Sequence, residues 1–149
     1  MAAMTPEFLF QIANPIALLG WVALTFAPFA PRIADVLAAM VIPMLMSVAY
    51  SALILAHWSG ANGGYSSLPD VMALFTDRDI ALAGWVHYLA FDLFVGAWAT
   101  RKARAASIPH LLVLPHLVLI FLFGPSGFLT YCAMHWAFQL RTTAKGATA

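Results

Sequence analysis

Four apolar blocks make up most of the sequence, and each is long enough to cross a lipid bilayer as a helix. They cover about residues 8–29, 33–58, 80–100 and 108–140. About 20 apolar helical residues cross a hydrocarbon core roughly 30 Å thick. Because lipid offers the backbone no hydrogen-bond partners, a spanning segment must pair its own N–H and C=O groups, as a helix does. The pattern therefore predicts an all-α integral membrane protein with four transmembrane helices.

The composition excludes several other classes of protein. Apolar residues are 63% of the chain and charged residues only 9%, whereas soluble domains average roughly 45–50% and about 25%. The formal net charge of +1 argues against a nucleic-acid partner. A length of 149 residues fits a single membrane domain over residues 1–149. The only cysteine, Cys132, excludes an internal disulfide.

The connections between the blocks differ in length and charge. The first, residues 28–32, is so short that the first two spans must form an antiparallel hairpin. The second, residues 59–79, contains an Asn-Gly-Gly turn signal and a stretch, 68–75, predicted to form a short amphipathic helix on the membrane surface. The third, residues 101–104, is the most basic segment. Short basic loops face the cytoplasm, so we predict that the 101–104 loop is cytoplasmic.

The fourth block is too long for one perpendicular crossing. Its roughly 33 residues would extend about 50 Å as a helix, and Gly124-Pro125-Ser126-Gly127 interrupts it. Either one long helix is kinked there, or the break creates a helical hairpin. We favour one kinked span, because each half has only about 16 residues against the ~20 that a crossing needs. A hairpin would instead place Arg141 and Lys145 on the side of the basic loop and strengthen the charge bias.

Asp92 is the one carboxylate that lies well inside a predicted span. Ionisable residues at membrane depth are costly and usually mark functional sites. Asp92 is therefore interpreted as a proton donor or acceptor in a water-poor cavity. The alternative is a structural aspartate that hydrogen-bonds across helices, but a neutral asparagine would fill that role at lower cost.

The residues before Asp92 divide between two faces of the predicted helix. His87 precedes Asp92 by five residues, which places it about 140° away around the axis. The two side chains should not pair within the helix, and His87 is equally consistent with packing and with function. Tyr88 and Trp85 lie four and seven residues before Asp92, on the same stripe, so Tyr88 is the expected local hydrogen-bond partner.

Other polar residues complete the predicted site, and Asn14 and His116 are the expected partners of Asp92 from other helices. Asn14, followed by Pro15, lies in the first span, and His116 is the deeper of two histidines that follow prolines in the fourth block. The sequence predicts three catalytic groups, which are Asp92, His87 and His116. It predicts five ligand-contacting residues, which are Asn14, Trp85, Tyr88, Tyr50 and His110.

A metal or haem site is the main cofactor alternative. His87, His116, Asp92 and His57 could converge as metal ligands, or two histidines on facing helices could bind a b-type haem. The sequence lacks the local ligand pair that metal sites usually show. We therefore predict no metal and no cofactor, with haem b as the alternative. The many aromatic residues suit an interfacial belt and also a long, apolar, conjugated ligand.

Two stretches resemble a known membrane family. In residues 75–98, FTDRDIALAGWVHYLAFDLFVGAW, a W-x-H-x-L-x-x-D-L-F pattern runs from Trp85 to Phe94. In residues 119–131, LIFLFGPSGFLTY, the residues Leu122, Phe123, Pro125 and Gly127 match an L-L-F-x-P-x-G element. The chain resembles the abscisic-acid-deficient type-four family, which includes plant neoxanthin synthase, from about Asn14 to Tyr131.

The resemblance implies a carotenoid-related isomerase. The plant reaction opens the epoxide of violaxanthin to an allene and a hydroxyl, and it needs an acid near the oxygen and a base for a polyene proton. By resemblance Asp92 would be the acid, and His87 or His116 the base. The alternatives are a non-catalytic carotenoid- or lipid-binding protein and a haem or metal redox protein. The family's many bacterial members imply a bacterial inner membrane, and a homo-oligomer would be compatible with these expectations.

Overall fold

The computed structural model describes residues 5–146, and this part of the chain is helical, without strands. The prediction of an all-α fold is confirmed. Within these residues, three helices are long and apolar enough to cross a membrane, and the predicted fourth crossing is not confirmed. The helices, in chain order, are α1 (Pro6–Thr25), α2 (Pro31–Gly60), α3 (Leu68–Leu74), α4 (Arg78–Ala105), α5 (His110–Phe123) and α6 (Pro125–Gly146).

Helices α1 and α2 form the predicted antiparallel hairpin. The Thr5 side chain caps α1 by accepting a hydrogen bond from the N–H of Phe8, and Pro31 begins α2 after a short turn. Leu9 near the start of α1 and His57 near the end of α2 border the same groove. A π-helical turn, Leu37–Val41, precedes Pro43, and such wider turns accommodate a residue that cannot donate a backbone hydrogen bond.

Helix α4 is the central element of the bundle. Half of the residues in its apolar 18-residue stretch are buried, compared with 28% in the corresponding stretches of α1 and α2. Asp77 caps its first turn by accepting hydrogen bonds from the N–H groups of Asp79 and Ile80. Gly96 lets α1 approach closely, since a Cβ there would lie 2.8 Å from the Trp21 ring. The other helices therefore pack around α4.

The prediction of one kinked helix over the fourth block is wrong. The Nδ1 atom of His116 lies 3.0 Å from the hydroxyl of Thr130, whereas 14 residues of continuous helix would separate them by about 21 Å. Gly127 packs directly on the backbone of Ile120, where a Cβ would overlap it. Helices α5 and α6 therefore form an antiparallel hairpin, the alternative that the sequence left open.

The break has a local cause in Gly124 and Pro125. Gly124 adopts a positive φ of 29° between the two helices, a conformation that glycine accepts more readily than other residues. Pro125 begins α6 without a backbone donor. Helix α5 has 14 residues and is about 21 Å long, too short to span roughly 30 Å of hydrocarbon.

The turn of the hairpin lies halfway along α4. Gly124 contacts Asp92, which is 14 residues after the start of α4 and 13 before its end. We call the side where α1 and α4 end the Arg104 face, and the side where they begin the Arg78 face. His110 at the start of α5 donates a hydrogen bond to the carbonyl of Thr25 on the Arg104 face. The hairpin therefore begins at the Arg104 face, turns at mid-depth and returns.

The surface and the long connection agree with a membrane protein. Large apolar side chains such as Phe29 and Leu55 are more than four-fifths exposed, and extended apolar surface of this kind marks membrane or partner contact. Apolar outer surfaces and three long helices are compatible with membrane insertion. The predicted short helix in the second connection is present as α3, which Ser67 caps.

Candidate functional site

Asp92 lies against the break of the α5–α6 hairpin. A Cβ on Gly124 would stand 2.7 Å from Oδ1 of Asp92, so only glycine leaves room for this carboxyl. The other oxygen, Oδ2, is buried and has no hydrogen-bond partner among the described residues. The first N–H groups of α6 have no partner within the helix, and a helix N-terminus favours negative charge. The carboxyl thus lies beside the start of α6 at mid-depth.

A hydrogen bond from Tyr88 joins this turn to α4. The hydroxyl of Tyr88 donates a hydrogen bond of 3.0 Å to the carbonyl of Phe121. In an unbroken helix that carbonyl would accept from the N–H of residue 125, but Pro125 has none. Tyr88 therefore satisfies the carbonyl that the proline leaves unpaired, one helical turn before Asp92. The sequence predicted a hydrogen bond from Tyr88 to Asp92, but the hydroxyl donates to Phe121 instead.

Asn14 extends the same polar stripe onto α1. Its Oδ1 accepts a hydrogen bond of 2.8 Å from the indole N–H of Trp85, and its Nδ2 donates to the carbonyl of Phe10 at 2.9 Å. The Trp85 ring stacks on the Tyr88 ring, with 5.4 Å between centroids. Three predicted ligand-contacting residues, Asn14, Trp85 and Tyr88, therefore lie together next to Asp92.

A groove between α1 and α4 leads to these residues. It has two parts, of about 560 Å³ and about 470 Å³, which adjoin at Trp85. Along α4 it extends from Arg78 to Leu89, about 17 Å at the rise of an α-helix. Its walls are mostly apolar, and its inner end is bordered by Tyr88, Phe121 and Leu122. We call it the α1–α4 groove; its shape suits an elongated apolar ligand.

His87 and Tyr50 lie on a different side of α4. The His87 ring is exposed, stacks on Phe91 at 4.6 Å between centroids, and lies 5.4 Å from Tyr50 of α2. Among residues 5–146 no hydrogen bond or ion pair joins His87 to Asp92. The helical geometry expected from the sequence is observed, and Tyr50 accompanies His87 rather than Asp92.

The histidines of α5 are also separate from Asp92. His116 hydrogen-bonds to Thr130 of α6 and lies edge-on to Tyr131. His110 contacts the last turn of α1 on the Arg104 face. The structure therefore does not bring the three predicted catalytic groups together. Within the described range, no three His, Cys, Asp or Glu side chains converge as metal ligands, and His87 and His116 face different helices.

Two contributors to the site were not predicted from the sequence. Gly124 gives the carboxyl its space, and the Phe121 carbonyl holds Tyr88. A signal for both was present, because a proline leaves the carbonyl four residues before it without a donor. Pro125 thereby singles out Phe121, and Gly124 stands immediately before that proline.

Comparison with known protein families matches most of the chain. A family model described as ABA4-like, ABA DEFICIENT 4-like, matches residues 8–131, which is 124 of the 149 residues. No curated protein and no solved structure matches the chain. The matched range includes the whole Asp92 site, from Asn14 on α1 to the turn at Gly124.

Proposed function

The chain belongs to the ABA DEFICIENT 4-like family, and on this premise we propose that it is a membrane-embedded isomerase. Its substrate would be a carotenoid or a related isoprenoid, and the reaction would use acid–base chemistry without a redox cofactor. The observation that supports this most directly is the half-buried Asp92 carboxyl at mid-depth, one oxygen of which has no hydrogen-bond partner within residues 5–146. It lies one turn beyond the inner end of an apolar groove.

A single carboxyl can balance the reaction of an epoxide. Protonated Asp92 gives its proton to the epoxide oxygen, the C–O bond breaks, and a hydroxyl and an allylic cation result. The carboxylate then removes a polyene proton, and the C–H electron pair forms the new double bond. Asp92 returns to its protonated state, so no second base is required. General acid–base catalysis of this kind contributes about 10²–10⁴-fold in rate.

The aromatic side chains of the groove are placed to stabilise the cation that this reaction forms. Trp85 and Tyr88 border the inner part of the groove, and aromatic faces attract a nearby cation. In the proposal their rings stabilise the positive charge on the opened polyene. His87 and His116, which the resemblance implied as bases, contact other side chains instead.

A non-catalytic binding protein is the second candidate. It is favoured by one observation: Asp92 is not among the residues that line either part of the groove. A ligand could therefore occupy the groove, stacked on Trp85, without reaching the carboxyl. The bound molecule would again be a long, apolar, conjugated compound.

Orientation forms part of the proposal. Six of the seven basic residues lie toward the Arg104 face once α5 and α6 form a hairpin, and only Arg78 lies at the other. We place the Arg104 face in the cytoplasm of a bacterium, following the positive-inside rule. The six residues are Arg32, Arg101, Lys102, Arg104, Arg141 and Lys145.

The test uses the full chain in phosphatidylcholine vesicles that contain an epoxy-carotenoid. An isomerase yields a product of unchanged mass with one new hydroxyl, separated by chromatography and identified by mass and allenic infrared absorption. A binding protein shifts the absorption of the pigment without converting it. Neither conversion nor a shift would contradict both candidates.

A further inference from the structure

A second group of polar side chains lies inside the α5–α6 hairpin, apart from the Asp92 site. The Tyr131 ring stands between two histidine rings, with centroids 6.2 Å from His116 and 5.9 Å from His135. Tyr131 is completely buried, and Trp98 of α4 covers it edge-on at 5.6 Å. We call His116, Tyr131 and His135 the hairpin cluster.

The cluster contains buried polar atoms that have no hydrogen-bond partner in the part of the chain that the structure describes. These are the hydroxyl of Tyr131 and Nε2 of His135. Leaving a buried hydroxyl unpaired is unfavourable, and phenylalanine would fill the same space without that cost. Buried polar groups of this kind point to a bound polar ligand, and water is the ligand that commonly joins two to four such groups.

His116 adds a proton acceptor to the cluster. The hydroxyl of Thr130 donates its single hydrogen to the carbonyl of Gly127 at 3.0 Å. It must therefore accept, not donate, in its 3.0 Å hydrogen bond with Nδ1 of His116. Nδ1 consequently carries the ring proton, and Nε2 of His116 has a free lone pair.

The cluster is aligned with Asp92. Along α6, Tyr131 lies seven residues after Gly124, or about 10 Å, and His135 lies one turn further, about 6 Å. Helical side chains lean toward the N-terminus of their helix, so the Tyr131 hydroxyl leans toward the turn at Asp92. The partly exposed His135 lies on the side of the Arg104 face.

We propose that the hairpin cluster conducts protons through bound water between Asp92 and the Arg104 face, with Tyr131 as the central relay. Each hydroxyl or imidazole gives up one proton as it receives another, so no group changes its charge permanently. The other ionisable groups beside this route are Tyr88, one turn before Asp92, Cys132 next to the relay, and Lys102, which lies 6.0 Å over the Trp98 ring. The inference concerns only the proton of Asp92 and does not require the isomerisation proposed above.

The test measures hydrogen–deuterium exchange at the Asp92 carboxyl. The full chain in phosphatidylcholine vesicles, without substrate, is transferred to D₂O at a pH that protonates the carboxyl, and the shift of its infrared band is followed. The Asp92→Asn protein identifies the band. We expect Tyr131→Phe to slow the exchange about tenfold or more, equivalent to about 1.4 kcal/mol in the barrier.

The control is Tyr65→Phe, because Tyr65 is an exposed residue of the long connection, and it should exchange like the wild type. His135→Gln provides a second variant if Tyr131→Phe does not fold, and it should also slow exchange. Exchange at the wild-type rate in the folded variants would overturn the proposal. Because no substrate is present, failure of the isomerase assay leaves this result unaffected.

Discussion

The two sides of α4 carry similar residue types but different arrangements. On one side, Asp92 and Tyr88 contact two other parts of the chain, α1 through Trp85 and the α5–α6 turn through Tyr88 and Gly124. On the other side, His87 stacks on Phe91, lies tilted against Tyr50 and makes no hydrogen bond within residues 5–146. We refer to these as the Asp92 side and the His87 side.

The difference shows that an ionisable group at membrane depth does not by itself define a site. An aromatic stack can hold an imidazole on an outer surface, since histidine presents an apolar body with a polar edge. The Asp92 side instead has a broken helix at mid-depth, and irregular backbone is tolerated there only when it is buried in protein or borders a water-filled space. The Asp92 side is distinguished by hydrogen bonds from α4 to α1 and to the α5–α6 turn, which also packs against the carboxyl.

The largest expected effect on turnover comes from replacing the ionisable residue on each side of α4. Asp92→Asn keeps the size of the side chain but removes its proton chemistry, so turnover of an epoxy-carotenoid should fall by about 10²–10⁴-fold. His87→Phe, the matched change on the His87 side, should keep the ring stack and leave turnover within about threefold. Initial rates of product formation by chromatography check both. Comparable losses of turnover in the two variants would contradict the proposal that only the Asp92 side is catalytic.

The next largest effect, on stability and turnover, is expected from filling the space beside Asp92. Gly124→Ala places a Cβ 2.7 Å from the carboxyl at a φ of +29°, and strain of this kind costs about 1–3 kcal/mol. We expect a lower unfolding temperature and reduced turnover. Gly60→Ala is the control, because no atom lies within 4 Å of its Cβ position and its φ is not positive. Thermal unfolding in detergent measures both, and equal stability of the two variants would contradict the close contact.

Much of this arrangement could be predicted from the sequence. Hydrophobic block length predicted four spanning helices, and three of these blocks form helices long and apolar enough to cross a membrane. Spacing placed Tyr88 on the side of α4 that carries Asp92, and His87 on another side. Both predictions rest on length or spacing within one element, which can be read directly from the sequence. Asn14, predicted as a ligand-contacting residue, accepts a hydrogen bond from Trp85 across 71 residues of chain, a long-range contact that no local pattern specifies.

The position of His116 and the form of the fourth block could not be predicted in the same way. Residue counting favoured a kinked helix because each half seemed too short to span a bilayer. That argument assumed that each half must cross, whereas α5 and α6 pair with each other from one face. Once they pair, His116 faces Thr130 and is turned toward α6. Such long-range packing depends on close contacts, here at Gly127, that local patterns do not reveal.

A smaller effect compares the tyrosine hydroxyls of the two sides. Tyr88→Phe removes the hydrogen bond to the Phe121 carbonyl, and such bonds in membrane proteins average about 0.6 kcal/mol with a maximum of about 1.7. We expect a loss of stability in this range and a turn that is less firmly held on α4. Tyr50→Phe should change stability less, because its hydroxyl has no partner among the described hydrogen bonds. A larger loss for Tyr50→Phe would mean that the His87 side is the better-connected one.

The smallest effect concerns the ion pair at the outer end of each side. Arg78 pairs with Glu7 where the α1–α4 groove begins, and His57 lies 3.7 Å from Asp79 beside the separate groove between α1 and α2. The Arg78 and Glu7 side chains are 76% and 50% exposed, so solvent and salt screen the pair, and such pairs contribute about 0–1 kcal/mol. Glu7→Gln should therefore weaken binding of a carotenoid by no more than about fivefold, an effect that disappears at high salt. Titration of the protein with the pigment, followed by its absorption, measures this affinity.

The control is His57→Gln, measured by the same titration. It should leave the affinity unchanged, because the groove beside His57 is not the one that leads to Asp92. If His57→Gln instead gave the larger change in affinity, the ligand would occupy the groove between α1 and α2. The proposal that the ligand binds on the Asp92 side would then be wrong.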